Sequence, residues 1–166
     1  MPKLAELNSL GREEFTRLLG PVFEHSPWVA ERAWEHRPFT SLDHLHSAMT
    51  GEVERATYEE QSLLLRAHPD LGTRARMSTA SADEQSGAGL DRLTPEEYRR
   101  LQEQNTAYRK KFGFPFLYAV KGSTKHDILR ALDQRLKSTP SDEFHQALNQ
   151  VYRIALFRLQ DVVAHY

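Results

Sequence analysis

The chain has 166 residues, 39% apolar and 27% charged, with 22 Lys and Arg against 23 Asp and Glu and a formal net charge of −1. A chain of this length buries roughly 70% of the surface its unfolded form exposes, enough for one core without cross-links. There is no cysteine, which excludes a disulfide framework, a thiolate metal site, an iron–sulfur cluster and a cysteine nucleophile. The balanced charge offers no basic footprint for nucleic acid. The opening stretch MPKLAELNSLGREEF carries charges every few residues, unlike a signal peptide. No segment approaches the roughly 18 to 20 apolar residues that span a bilayer. The expectation is one domain over residues 1–166, with neither nucleic acid nor membrane as a partner.

Helical periodicity dominates. Phe15, Leu18, Leu19, Val22 and Phe23 form a stripe at i, i+3, i+4, i+7 and i+8, bent or ended by Pro21. Ser26 and Pro27 read as an N-cap and first helical residue before Trp28, Ala33 and Trp34. Ser41 caps a helix carrying Leu42, Leu45 and Met49. Thr57 and Glu60 form a capping box that launches Leu63, Leu64 and Leu65, and Pro69 should stop that helix at His68 because its ring disfavours the α conformation of the preceding residue. From Asp70 to Leu93 the periodicity lapses into a long Gly, Ser and Ala rich connection, of the kind that is functional or disordered. Within it, Ser81 and Glu84 suggest a second capping box and a short helix closed by Gly87 or Gly89. Thr94-Pro95-Glu96-Glu97 then marks a helix start, with Tyr98, Leu101, Asn105, Tyr108 and Phe112 following as far as Gly113. Thr124 opens a helix with Ile128, Leu129, Leu132 and Leu136, and Ser141 or Asp142 opens the last, to about Val163. Without strand alternation, the fold class is all-α, a single multi-helix domain of about seven or eight helices.

Three residues stand out chemically. His68 sits where a helix ends and a proline follows, which places an imidazole able to change protonation near neutral pH at an element terminus. A C-capping histidine is the plainer reading. Arg158 falls inside the apolar stripe Phe144, Ala147, Leu148, Val151, Ile154, Ala155 and Val162, so its guanidinium must meet an anion. That anion is either Asp161 or another core carboxylate, or a bound ligand, for which the planar fork of arginine suits a carboxylate or imide. Glu84 is explained by the capping box alone, although backbone N–H groups at a helix start also receive anionic or carbonyl-bearing ligands. Phe112-Gly113-Phe114-Pro115-Phe116, followed by Leu117 to Val120, reads as core or as the wall of a small pocket. His44 and His46, two apart, lie on nearly opposite sides of a helix and cannot easily share a metal. HExxH, GxSxG, Walker and GxGxxG signatures are absent.

Taken together, four stretches resemble one family in order: Ala67-His68-Pro69-Asp70-Leu71-Gly72; Ser81-x-x-Glu84-Gln85-x-x-Ala88-Gly89-Leu90; Asn105-x-x-Tyr108-x-x-Lys111 through Phe116; and Ile154-Ala155-x-x-Arg158-Leu159-x-Asp161. The chain resembles the 2-oxo-4-hydroxy-4-carboxy-5-ureidoimidazoline (OHCU) decarboxylases from about Phe15 to Val163. The resemblance implies an all-α, cofactor-free and metal-free homodimeric enzyme performing the last step from urate to (S)-allantoin. It also implies His68 as the catalytic acid–base group, Glu84 as the second catalytic carboxylate and Arg158 as the anion-binding arginine. Pro69, Ser81, Gln85 and the segment Phe116, Leu117, Tyr118, Ala119 and Val120 become substrate contacts. One departure is Ser138, where many members carry Asn, expected to alter a helix cap and not the chemistry. The C-terminus Ala164-His165-Tyr166 lacks a Ser-Lys-Leu type signal, so the expected compartment is the cytoplasm. Some bacterial relatives carry this module ahead of a urate oxidase, so a free-standing enzyme and a module of a longer chain are both open.

The chemistry suits the residue types. In this substrate the carboxylate-bearing carbon adjoins a ring C=N that accepts the electron pair released with CO2, so no external electron sink is needed. The competing reading is a non-enzymatic all-α interaction domain that presents the 70–93 loop to a partner.

Overall fold

The computed structural model describes residues 1–72 and 79–164, with the side chains of all but residues 79 and 80. Among the described residues there are nine α-helices, two short 3-10 turns and no strand beyond one isolated bridge between Lys3 and Ala164. The all-α expectation holds. The additional helix is α1 (Leu4–Ser9), too short to show periodicity amid its charges, with one fully buried residue, Leu7.

Capping chemistry decides most of the remaining boundaries. α2 (Arg12–Leu19) gives way to a 3-10 turn at Gly20–Val22 that holds Pro21, which ends the helix as expected while Val22 and Phe23 stay buried. α3 (Trp28–Ala33) corrects one expectation. Ser26 does not cap it, because its hydroxyl turns back to donate to the Glu24 carbonyl at 2.9 Å. α4 (Leu42–Arg55) starts where the Ser41 hydroxyl accepts the His44 N–H, and α5 (Tyr58–Arg66) starts with the reciprocal Thr57 and Glu60 box.

The 70–93 connection is more ordered than its composition suggests. α6 (Thr79–Gly87) occupies much of it. Ser81 therefore lies within the helix and is not its N-cap, which requires non-helical backbone, so the Ser81 and Glu84 capping box is overturned. The helix closes at Gly89, φ 82°, where the Gly89 N–H meets the Ser86 carbonyl and the Leu90 N–H meets that of Gln85, the paired pattern of a Schellman end.

α7 (Pro95–Phe112) carries the Thr94 and Glu97 box and ends at Gly113, φ 83°. α8 (Lys125–Arg135) has a third box, Thr124 with Asp127. α9 (Pro140–Val162) opens earlier than expected, because the Thr139 hydroxyl accepts the Asp142 N–H at 3.2 Å, making Thr139 the capping side chain and not Ser141 or Asp142. Val162, read as part of the buried stripe, is 37% exposed, and Leu159 and Val163 are buried instead.

Two compact units partition these elements: Met1–Ala67 with the chain from Tyr152 onward, and His68–Val151. In the first, Phe15 stacks on Phe39 with ring centroids 5.9 Å apart. The Asn8 amide grips Phe39 twice, donating to its carbonyl at 2.9 Å and accepting its N–H at 2.8 Å. In the second, the fully buried Tyr108 ring meets Phe112, Phe114 and Phe116 at 4.6, 5.9 and 5.5 Å. Each such ring contributes about 1.5–3 kcal/mol by leaving water.

Candidate active site

α5 ends at Arg66, with Ala67 as the C-cap residue, so His68 lies just past the helix in non-helical backbone, as Pro69 requires. Its side chain is buried, 6% exposed. The residues after it are held by three side chains. Arg109 on α7 donates to Asp70 at 2.9 Å, Asn105 on the same helix donates its amide to the Leu71 carbonyl at 3.0 Å, and Gln85 on α6 accepts the Gly72 N–H at 2.8 Å. Gly72 adopts φ 71°, a conformation that costs other residues roughly 1–2 kcal/mol.

Ser81, Gln85 and Ala88 are buried at i, i+4 and i+7 of the α6 region, and Glu84 is half-buried beside Gln85. One face of a helix thus carries all three sequence-predicted residues of this stretch. Gln85 has a structural task besides any contact with substrate, since its amide oxygen fixes the Gly72 backbone.

The segment Phe116 to Val120 is irregular and buried except at Tyr118, which is half-buried. Its main chain is fixed at two points. Arg135 donates to the Leu117 carbonyl at 2.6 Å, and the Ala119 N–H donates to the Gln150 amide oxygen at 2.8 Å. The Phe116 ring stacks on Tyr118 with centroids 6.0 Å apart.

Arg158 belongs to the other compact unit. Its guanidinium pairs with Glu24 at 3.1 Å and donates to the Pro21 carbonyl at 3.2 Å. Glu24 is therefore a core carboxylate of the kind the stripe demanded. It is placed by a tight turn in which the Ser26 N–H reaches the Phe23 carbonyl and His25 takes φ 47°. A side chain held in that left-handed region normally requires surroundings that fix it.

His68, Pro69, Ser81, Glu84, Gln85 and residues 116–120 thus fall within one unit and Arg158 in the other. Sequence reasoning missed Glu24, Arg109 and Arg135 as the charges that fix these segments. Glu24 left a trace as an isolated carboxylate directly after the apolar stripe, and Arg135 as a cation at i+7 from Ile128 and i+3 from Leu132. His44 and His46 are each engaged elsewhere, the first accepting the Thr40 N–H and the second contacting the Tyr152 carbonyl at 2.8 Å. Among the described residues no three His, Asp or Glu side chains gather to hold a metal ion, and no helix is long and apolar enough to cross a membrane. Residues 73–78 of the proposed partner-binding loop lie outside the described residues.

A family model described as OHCU decarboxylase matches residues 8–160. The chain is 46% identical over 157 residues to the 2-oxo-4-hydroxy-4-carboxy-5-ureidoimidazoline decarboxylase of Halalkalicoccus jeotgali, covering 95% of this chain and 89% of that protein. It is 49% identical over 158 residues to the uric acid degradation bifunctional protein PucL of Bacillus subtilis, of which it spans 32%. The crystal structure of an (S)-allantoin synthase superimposes with a TM-score of 0.80 at 34% identity, covering 97% of this chain and 54% of that one. A match over nearly the whole chain, to a decarboxylase of almost the same extent, establishes that this chain belongs to the OHCU decarboxylase family.

Proposed function

We infer that the chain is a carboxy-lyase that converts 2-oxo-4-hydroxy-4-carboxy-5-ureidoimidazoline to (S)-allantoin and CO2 in urate degradation, working without a cofactor. The observation that carries this reading is the family match across residues 8–160, which spans His68, Glu84 and Arg158 together. Residues 1–166 then form one OHCU decarboxylase domain. The likeness to bifunctional uric acid degradation proteins supports functional coupling or fusion to urate oxidation. A homodimer in the cytoplasm completes the reading, on the strength of the family resemblance.

In the reaction the bond between the carboxylate and the hydroxyl-bearing carbon breaks. Its electron pair forms a C=C bond to the neighbouring ring carbon as the C=N pair moves onto nitrogen, which takes a proton; the resulting enol then takes a proton on one face of that neighbouring carbon while its hydroxyl gives one up and becomes a carbonyl. The protein must orient the substrate and move those protons. We assign proton transfer at the hydroxyl of the carboxylate-bearing carbon to His68, whose following residues are held by Gln85, Asn105 and Arg109. Glu84 positions the substrate or shares that transfer. Arg158 anchors an anionic or carbonyl group, with Glu24 and the Pro21 carbonyl fixing its fork. Pro69, Ser81, Gln85 and the Phe116 to Val120 segment line the site, the last as an apolar wall that keeps the carboxylate poorly solvated.

The test is to generate the substrate in situ from urate with the two upstream enzymes, add this protein, and follow absorbance loss together with the circular dichroism of the product. Decay faster than the spontaneous rate with optically active allantoin is expected. Background decay to racemic product from folded protein would sink the assignment.

A further inference from the structure

The junction between α8 and α9 encloses buried charge that the proposed chemistry does not use. Arg135, the last residue of α8, donates Nε to Glu143 Oε1 at 2.5 Å, and Glu143 stands fully buried in the first turn of α9. The same carboxylate oxygen accepts the hydroxyl of Tyr108 from α7 at 2.5 Å. Burial first, then the adjoining carboxylate, pushes that phenol well above its usual range. The other carboxylate oxygen, Glu143 Oε2, is buried without a hydrogen-bond partner.

An array of this kind is a poor way to gain stability. Desolvating two ions offsets most of their attraction, and apolar residues of the same volume commonly serve as well or better. What the guanidinium adds is geometry. Its planar fork sets Nε and Nη2 against Glu143 Oε1 and Nη1 on the Leu117 carbonyl at 2.6 Å, while its central carbon lies 4.8 Å from the centroid of the Phe116 ring. A charged donor on a carbonyl makes a stronger and more directional bond than a neutral one. Arg135 therefore holds both the side chain and the main chain at the start of the 116–120 segment, and Gln150 holds Ala119 two residues on.

We propose that Arg135, seated by Glu143 and Tyr108, is a positioning residue for the reaction, fixing the Phe116 to Val120 main chain in the arrangement that receives the substrate. This rests on the placement of that segment at the substrate argued above. Loosening the clamp weakens substrate binding and leaves the groups that transfer protons untouched.

The experiment is steady-state kinetics of Arg135→Lys with substrate generated in situ, alongside thermal denaturation. Lysine keeps a positive charge opposite Glu143, but a single ammonium cannot fork between a carboxylate and a carbonyl or lie flat on an aromatic ring. We expect KM to rise about tenfold, the scale of one hydrogen bond to a charged group, with the pH profile of kcat unmoved. A folded Arg135→Lys protein with wild-type KM and kcat overturns the proposal, whatever its melting temperature. If that variant does not fold, Tyr108→Phe removes only the hydroxyl that seats Glu143, and a KM increase of about threefold is expected. Wild-type KM there overturns the proposal equally. A wild-type protein that fails to accelerate the decay overturns the functional reading and this inference with it. An active wild type with unmoved variants overturns the positioning role alone.

Discussion

Arg158 and Glu24, 134 positions apart in the chain, form an ion pair with side chains 6% and 1% exposed. Removing one member of such a pair strands the other charge in the core. We therefore expect Glu24→Ala to lose about 3–5 kcal/mol of stability, measured by urea denaturation. A loss below about 1 kcal/mol, the scale of an exposed pair, would show that solvent reaches Arg158 freely. Arg158→Lys should raise KM, because a point charge replaces a two-pronged donor.

The backbone after His68 offers a test of positioning. Gln85→Ala leaves the buried Gly72 N–H without its acceptor, at a cost of about 1–3 kcal/mol. Gly72→Ala forces a side chain into φ 71° with its Cβ 2.5 Å from Leu101 Cδ2. Both variants should lose kcat beyond what their folded fraction explains, since the segment following the proposed acid–base group is displaced. Full kcat in folded protein would separate the 70–72 segment from His68 function.

The capping carboxylates predict an acid limb. The Lys125 ammonium, and next the Thr94 backbone N–H, hold Glu97 down from the usual 4.5 to about 2. Arg32 and the Thr57 backbone do the same for Glu60, also to about 2. A carboxylate depressed in the folded state contributes stability that is complete above its unfolded value and is lost as pH falls through its folded one. The contribution should be whole at pH 6 and disappear between about pH 4.5 and 2. Melting temperatures of wild type and Glu97→Gln should differ at pH 6 and converge toward pH 2. A constant gap across that range would remove Glu97 from the acid response.

Local chemistry is the part of this structure that was legible in the sequence. Thr57, Thr94 and Thr124 each mark a helix start because the capping hydroxyl and its partner lie within four residues. α6 was half legible. Its closing glycine is encoded locally, but its start lies upstream of Ser81, and a Ser followed three residues later by Glu imitates a box that the helix does not use. Arg158 shows the same limit at longer range. Its position in an apolar stripe demanded an anion, yet the choice between Asp161, another carboxylate and a ligand depends on tertiary placement, and Glu24 lies in a turn whose shape no periodicity reports. Arg135 left the same kind of signal as Arg158, since it stands at i+7 from Ile128 and i+3 from Leu132, but at the last residue of a helix, where a basic side chain facing solvent is the ordinary outcome.

The α6 boundary sharpens the role of Glu84. As the third residue of a capping box opened by Ser81, Glu84 would have a sufficient structural explanation. With the helix beginning at Thr79, capping does not account for Glu84, a half-buried carboxylate that shares one helical face with Ser81 and Gln85. Glu84→Gln preserves size and hydrogen-bonding capacity and removes only charge and proton exchange. A purely structural Glu84 would tolerate it, whereas a group that shares proton transfer would not. We expect Glu84→Gln to melt within about 2 °C of wild type, a surface-scale change in stability, and to lose about two to four orders of magnitude in kcat, as His68→Ala should. Stopped-flow decay of the substrate with circular dichroism of the product reads both rate and stereochemistry. Slow turnover that still gives (S)-allantoin assigns Glu84 to the rate of proton transfer. Slow turnover to racemic product assigns it to the face on which the proton arrives, and wild-type kinetics would return it to a structural role.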